Sequence, residues 1–364
     1  MNRIIIIISL IMTMITTTTS AAVKASYDIM PLPASISMQK GEPFMLSSAT
    51  RIVYVGSDEA MKRNAKFLAD YLAQTTGIKL STNAASGKAQ KNTITLCTDS
   101  KMGEEAYRIS VDKKGIVITG GSAKGVFYGI QTLRKSVPVG KTDNIELSAV
   151  RIADQPRFGY RGMMLDCSRH FFTVDFIKKY LDLMAMHNMN VFHWHLTDDQ
   201  GWRIEIKKYP RLTSVGSKRS GTIVGFNSMV DDQREYGGFY TQDQARDIVE
   251  YARQQYITVI PEIDMPGHMK AALAAYPELG CTGGPYEVGH RWGIYLDVLC
   301  LGNEKIYAFC EDVLKELSDI FPAEFVHIGG DETPTERWAE CPKCQAVAKE
   351  HGCAYVYPQS LKRL

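Results

Sequence analysis

Phe325-Val326-His327-Ile328-Gly329-Gly330-Asp331-Glu332 is the stretch from which the rest of the chain can be read. An apolar, strand-like run ends on two glycines and two adjacent carboxylates. Three other segments have the same form: Arg161 to Asp166 (RGMMLD), Asn190 to Asp199 (NVFHWHLTDD) and Val259 to Asp264 (VIPEID). Each is a hydrophobic strand with its polar groups at the C-terminal end, where barrels and open α/β sheets carry their sites. Amphipathic helices separate them. Phe176, Ile177, Tyr180, Leu181 and Met184 share one face of Thr173–His187, and Thr241 with Gln244 forms a capping box for a helix running to about Tyr256. Lys305–Phe321 places Ile306, Phe309, Cys310, Val313, Leu314, Leu317 and Ile320 on one stripe. Four strand–helix units in succession predict a parallel α/β sheet. The connections 198–240 and 265–303 are far longer than such units need, and loops of that size are usually functional.

Before Pro156 the rhythm differs. Strands at Ile52–Val55, Thr93–Leu96, Tyr107–Val111 and Gly115–Gly120 alternate with helices at Asp58–Thr76 and Ala123–Lys135, a small α+β domain over 26–152. Residues 1–25 read as a secretory leader: Asn2 and Arg3, an apolar run from Ile4 to Ile15 too short to span a bilayer, then small residues up to Ala22 and Ala25. Cleavage is expected near Ala22 or Ala25, with no cysteine there for a lipid anchor, so the mature protein is expected to be periplasmic or secreted. A net charge of +2 without a basic block gives no reason to expect a nucleic-acid partner.

Eight cysteines in an exported chain raise the question of disulfides. Cys97, Cys167 and Cys310 read as small buried hydrophobes. Cys281 and Cys300 bracket one loop and could pair. Cys341-Pro-Lys-Cys344 could be a redox pair or half of a zinc site, for which only His351 and Cys353 lie close in sequence.

The chemistry concentrates at the strand ends. Asp331 and Glu332, as strand neighbours, point to opposite faces. They therefore make a poor acid–nucleophile pair of the ordinary retaining glycosidase kind, whose carboxyl groups face each other about 5 Å apart. Glu332 can serve as a general acid while Asp331 turns to another part of the substrate; the bland alternative is that the pair caps a helix starting near Thr335. His193 and His195 share one face of their strand, with Asp198 and Asp199 just beyond. With His268 they would also suit a divalent metal. Pro261-Glu262-Ile263-Asp264-Met265-Pro266-Gly267-His268 adds two acids and a histidine at a tight turn. Arg161 is either a fixed charge for substrate or a salt-bridge partner.

Taken together, YRGMMLD, the HWHLTDDQGWR run from His193 to Arg203, PEIDMPGH, and HIGGDE followed by Trp338 resemble glycoside hydrolase family 20, the β-N-acetylhexosaminidases, from about Asp154 to Gly352. The α+β stretch also resembles the small domain that precedes the barrel in that family. The resemblance implies a (β/α)8 TIM-barrel catalytic domain over 153–364. It also implies a retaining exo-hydrolase that removes terminal β-linked N-acetylglucosamine or N-acetylgalactosamine without metal or cofactor. In such enzymes the substrate's own acetamido oxygen is the nucleophile, an exception to the two-carboxylate scheme. Asp331 would then orient and polarise the acetamido group. Glu332 would protonate the glycosidic oxygen and later activate water, which requires it to hold a proton near neutral pH. Arg161, Asp198 and His268 match substrate-binding residues, with His195 and Asp264 supporting them.

The match covers only about four βα units. Nothing here corresponds to the later strands that wall the sugar in that family, and AYVYPQSLKRL after Gly352 offers no clear fifth strand. Half a barrel would expose strand edges and apolar interior. Two other readings stay open: an inactive or sugar-binding remnant of that enzyme, and a metal-dependent hydrolase using His193, His195 and His268.

Overall fold

Alternation along Tyr107–Asp112 buries Tyr107, Ile109 and Val111 while Arg108, Ser110 and Asp112 face out, the pattern of a sheet covered on one side. The computed structural model, which describes residues 22–85, 90–226 and 228–352, places this strand inside the first of two units, which divide between Gln155 and Pro156. The expected leader lies largely outside the described residues.

In chain order the first unit contains β1 (Val23–Lys24), β2 (Ser35–Met38), β3 (Phe44–Ser47), β4 (Arg51–Val55), α1 (Glu59–Thr76), β5 (Ser81–Ala85), β6 (Thr93–Thr98) and β7 (Tyr107–Asp112). It continues with β8 (Gly115–Gly120), α2 (Ala123–Ser136), β9 (Asn144–Leu147) and β10 (Val150–Asp154). Seven strands form one mixed sheet, β2-β10-β7-β8-β6-β4-β5, and β1-β9-β3 form a smaller one. Leu68 and Leu72 of α1 and Ile130 and Leu133 of α2 are buried, as are Ile94, Leu96, Ile116 and Ile118 of the central strands. Each helix begins where the sequence offers a cap: Asp58 accepts from the Ala60 N–H, and Ser122 from the Lys124 and Gly125 N–H groups. Val23 and Lys24, counted with the leader in the sequence reading, pair with Ile145 and Glu146.

The second unit contains β11 (Gly162–Asp166), α3 (Val174–Met186), β12 (Val191–Asp198), β13 (Gly201–Trp202), α4 (Arg211–Ser214), β14 (Lys218–Arg219), β15 (Tyr236–Gly237) and α5 (Gln242–Gln254). Then follow β16 (Thr258–Ile263), α6 (Lys270–Ala275), a 3-10 turn at Pro277–Leu279, α7 (Lys305–Ser318), α8 (Glu336–Glu340) and α9 (Pro342–Glu350). β11, β12 and β16 are parallel, with Asp166 opposite His195 and His195 opposite Glu262. In-register pairing therefore brings the polar ends of three strands to one edge. The capping box at Thr241 forms as the sequence predicts, with the Gln244 side chain returning to the Thr241 N–H.

Two expectations are corrected. Phe325–Ile328 runs beside β16, exchanging His327 N–H to Pro261 O, Ile263 N–H to His327 O and Met265 N–H to Ile328 O bonds of 3.0 Å each. Yet it forms a single parallel bridge, Glu262 with His327, rather than a fourth strand. Gly329 at φ 62° and Gly330 at φ 100° turn the chain out of the extended path immediately afterwards. Opposite-face reasoning for Asp331 and Glu332 fails for the same reason. The long connections also carry structure of their own, including β13 antiparallel to β12. Among the described residues the sheet does not close, and β11 is its edge, with Met163 and Met164 about half exposed.

Candidate active site

β12 is buried at every position except His193, so its polar residues must find partners inside. They do so through Glu262 of β16. Its Oε2 accepts from His193 Nε2 at 2.7 Å and His195 Nδ1 at 2.6 Å, and its Oε1 lies 2.8 Å from His327 Nδ1. Burial opposes the charge of Glu262, but the bonds from His193 and His195 outweigh it and hold the carboxyl well below the usual range. His195 turns its other nitrogen to Asp198 Oδ2 at 3.0 Å. Burial alone would lower its pKa; the bonds to Asp198 and Glu262 prevail and raise it to about 10. His195 is thus an imidazolium between two carboxylates.

Asp198 is the hub. Beyond His195, its Oδ2 lies 2.7 Å from the Arg169 guanidinium, and its Oδ1 accepts from the Asp199 N–H at 2.6 Å and faces His268 Nδ1 at 3.2 Å. Despite burial, these cations hold it at about 2. His268 Nδ1 also meets Asp199 Oδ2 at 3.1 Å. Bonds to Asp198 and Asp199 push the His268 pKa up to about 11 against the effect of burial. Its Nε2 makes no hydrogen bond among the described residues and faces Glu332 Oε2 at 3.6 Å. A buried, protonated donor therefore points at the carboxylate that the sequence singles out as the acid.

Asp264 supports the turn on which Asp331 and Glu332 stand. Its Oδ1 accepts the Gly330 N–H at 3.1 Å, and it fills the space that a Cβ on Gly329 would occupy. Burial, reinforced by the charges of Asp331 and Asp198, pushes the Asp264 carboxyl up to about 7. Carboxylate oxygens of Asp264 and Asp331 and a ring nitrogen of His268 lie within 4.8 Å of one another. Asp331 and Glu332 themselves are exposed. Neither caps a helix, since α8 starts at Glu336 and its cap position, Thr335, makes no side-chain capping bond.

The three histidines proposed for a metal do not converge. His193 groups with Glu262 and His327, His195 with Asp198 and Asp264, and His268 with Asp198 and Asp199 or with Asp264 and Asp331.

Arg161 is not brought to the site. It precedes β11 at the end opposite Asp166, and its guanidinium donates to the backbone carbonyls of Asn188 at 2.6 Å and Phe158 at 2.7 Å. Sequence reasoning missed Arg169, three residues beyond Asp166. Its guanidinium joins Asp166 at 3.0 Å to Asp198 at 2.7 Å and stands 5.9 Å from the Trp292 ring. Both line a cavity of about 180 Å³ together with His170, Gln200, Arg219 and Arg291. The available signal was position: Arg169 follows the strand's C-terminal acid, whereas Arg161 precedes the strand.

A short parallel sheet whose strand ends gather carboxylates and cations, with an Asp-Glu pair on a glycine turn, defines an α/β protein with a polar site at the C-terminal ends of its strands. Residues 158–362 match the glycosyl hydrolase family 20 catalytic domain and residues 26–155 match domain 2 of the same family; the chain belongs to glycosyl hydrolase family 20. A beta-hexosaminidase of Porphyromonas gingivalis is 44% identical over 333 residues, covering 89% of this chain and 41% of that protein. A beta-hexosaminidase of Vibrio furnissii is 42% identical over 266 residues, 71% of this chain and 42% of that protein. Among solved structures, the family 20 exo beta-N-acetylglucosaminidase of Vibrio harveyi in complex with N-acetylglucosamine superposes with a TM-score of 0.79 at 34% identity, covering 93% of this chain and 52% of that one. The chain thus spans about half the length of these relatives.

Proposed function

We propose that this chain carries the catalytic acid of a retaining exo-β-N-acetylhexosaminidase that hydrolyses terminal β-linked N-acetylglucosamine or N-acetylgalactosamine on a (β/α)8-type scaffold. The observation that carries the reading is the approach of the His268 imidazolium to Glu332, beside Asp331. The acetamido oxygen of the substrate attacks the anomeric carbon, giving an oxazolinium, while Glu332 passes its proton to the departing glycosidic oxygen. His268, held protonated by Asp198 and Asp199, stabilises the carboxylate that Glu332 becomes. Asp331 accepts the acetamido N–H and offsets the developing positive charge. Ionised Glu332 then takes a proton from the water that opens the oxazolinium. Arg169, which lines the cavity, is the group placed to hold sugar hydroxyls, in the role the sequence reading gave to Arg161, while the buried Asp198 holds Arg169 and the His268 ring in place. His195 and Asp264 position Asp198 and the glycine turn. The charged, apolar and small-residue order of the N-terminus supports export, so glycans outside the cytosol are the proposed substrates.

A second reading, sugar binding without turnover, draws support from the exposure of Glu332, whose side chain is 54% accessible; a general acid holds its proton best where water is excluded. Hydrolysis of an aryl N-acetyl-β-glucosaminide, compared with the plain glucoside and with Glu332→Gln and Asp331→Asn, separates the two. Turnover that requires Glu332, Asp331 and the acetamido group supports the enzyme. Unchanged hydrolysis by Glu332→Gln rejects its role as acid, and saturable sugar binding without turnover leaves the second reading.

A further inference from the structure

Four cysteines far apart in sequence meet in the second unit. Cys281 and Cys300 come from the connection after β16, while Cys341 and Cys344 flank the start of α9. Cys281 Sγ lies 3.9 Å from Cys344 Sγ, and Cys300 Sγ lies 3.7 Å from both Cys341 and Cys344. All four sulfurs fall within 4.8 Å of one another, three of the residues are buried, and none of the four is in a disulfide. The sequence pairing of Cys281 with Cys300 alone is therefore replaced by a four-membered cluster. His351, one of the two neighbours considered for zinc, is not among the grouped residues, and Cys353 lies outside the described residues.

The distances discriminate between the chemistries available to four thiols. A disulfide requires sulfurs about 2.05 Å apart. Zinc bound by four thiolates at about 2.3 Å places each pair of sulfurs about 3.8 Å apart, the edge of the tetrahedron. The three measured edges bracket that value. Van der Waals contact would explain one such pair, but it does not explain why sulfurs from three separate segments close on one point. Gly302 packs so closely on Lys343 and Cys344 that it has no room for a Cβ.

We infer that Cys281, Cys300, Cys341 and Cys344 form a structural tetrathiolate site for a zinc ion, distinct from the carboxylate–histidine cluster. All four coordination positions are filled by protein, so the site is structural and has no open position for chemistry. Its place in the fold gives it a purpose. It fastens the connection that begins at Met265–His268 to the segment that follows Asp331 and Glu332. The Trp338 indole N–H donates to Leu299 O at 2.8 Å and the Arg337 guanidinium meets Asp297 at 2.9 Å along the same seam. Zinc would thus hold together the two segments that carry His268 and Glu332.

The test is made on the full chain, purified without chelator. Elemental analysis is expected to find one zinc per chain, with X-ray absorption at the zinc edge showing four sulfur neighbours near 2.3 Å. Cys341→Ser and Cys344→Ser should lose the metal, while Cys97→Ser should keep it. Should the serine variants fail to fold, wild-type protein stripped of metal and given Co2+ should develop the thiolate-to-cobalt absorption of a tetrahedral site, which added Zn2+ abolishes. Two disulfides among the four cysteines in non-reducing peptide mapping, stoichiometric iron in place of zinc, or a zinc-free chain in which these four thiols are all free to react and give no cobalt spectrum would each overturn the inference. None of these readouts depends on glycosidase activity.

Discussion

Replacing Glu262 with Gln tests whether the buried charge network, rather than hydrophobic packing alone, organises the strand ends. The carboxylate is 5% exposed and is bonded by His193 at 2.7 Å and His195 at 2.6 Å, with His327 Nδ1, which accepts the Gly329 N–H, 2.8 Å from its other oxygen. An amide of the same shape removes the charge and turns an N–H2 toward ring N–H groups. Breaking a buried ion pair by removing one partner costs about 3–5 kcal/mol. The loss carries a pH signature. His195 has its pKa raised to about 10 from an ordinary value near 6.5, so the folded state binds more protons between those limits. Its stabilisation is complete below about pH 6.5 and is lost as pH rises through about 10, a slope of at most about 1.4 kcal/mol per pH unit. In Glu262→Gln the His195 pKa falls, and the variant's stability should be flatter than wild type between pH 7 and pH 8 by up to that amount. The contribution of His268 is common to both proteins and cancels in the comparison. All four tryptophans, Trp194, Trp202, Trp292 and Trp338, belong to the second unit, so urea unfolding followed by fluorescence reports on it directly. Equal slopes in the two proteins, or a loss below about 1 kcal/mol, less than a typical buried hydrogen bond with its desolvation, would refute the reasoning.

Arg161→Ala should weaken folding, through loss of the bonds to the Asn188 and Phe158 carbonyls, while leaving KM for an aryl N-acetyl-glycoside unchanged; a raised KM would return Arg161 to the pocket. Arg169→Ala removes the charge that a single nitrogen, Nη1, places between Asp166 and Asp198; loss of one charge-assisted bond, about 1.5–3 kcal/mol, should lower kcat/KM by roughly ten- to a hundredfold, and an unchanged value would exclude it from substrate binding. Gly329→Ala should cost more than Gly352→Ala in thermal unfolding. Both glycines have φ near 60°, but a Cβ at Gly329 strikes the Asp264 carboxylate whereas one at Gly352 meets nothing within 4 Å; equal costs would show that Asp264 yields easily.

Much of this architecture is legible in the sequence because period and punctuation are local. The helix start at Thr241 is read from its capping box, the other helices from the spacing of their apolar residues, and the parallel sheet from repeated strand–helix units. His195, Asp198, Asp264 and His268, which the structure brings into one cluster, stand out in the sequence because each ends a hydrophobic strand or follows it directly. What escapes is whatever depends on register or on meetings between distant segments. Arg161 and Arg169 lie eight residues apart at opposite ends of β11, and only the strand's direction distinguishes them. Glu262 reads as one acid among several until pairing sets it opposite His195. The cysteine cluster is assembled from a long loop and a helix start that no periodicity connects. Phe325–Ile328 has a strand's composition, yet the glycines that follow end its ladder after one bridge.

Those glycines also bear on why the two central residues are strained. His268 at φ 51° and Glu332 at φ 46° both occupy the left-handed region, which costs a residue other than glycine about 1–2 kcal/mol. A strand continuing straight past Ile328 would alternate Asp331 and Glu332 across the sheet and leave one of them facing away from the cluster. Turning at Gly329 and Gly330, around the Asp264 carboxylate, breaks that alternation. It sets Asp331 near Asp264 and Glu332 near His268, so neighbouring acids face different partners on the same side. The turn before His268 delivers its ring between Asp198, Asp199 and Glu332 in the same manner. Strain of this kind persists where surrounding bonds over-determine the geometry. Here they do so through Asp264 to the Gly330 N–H and through Asp198 and Asp199 to the His268 ring. Weakening either anchor should let the strained residue relax, so Asp264→Ala, with its carboxylate gone, should lower turnover more than binding, since Asp331 and Glu332 would lose their mutual placement while Asp198 and Arg169 remain. An Asp264→Ala enzyme with wild-type kcat would show that the turn is held by something other than this carboxylate.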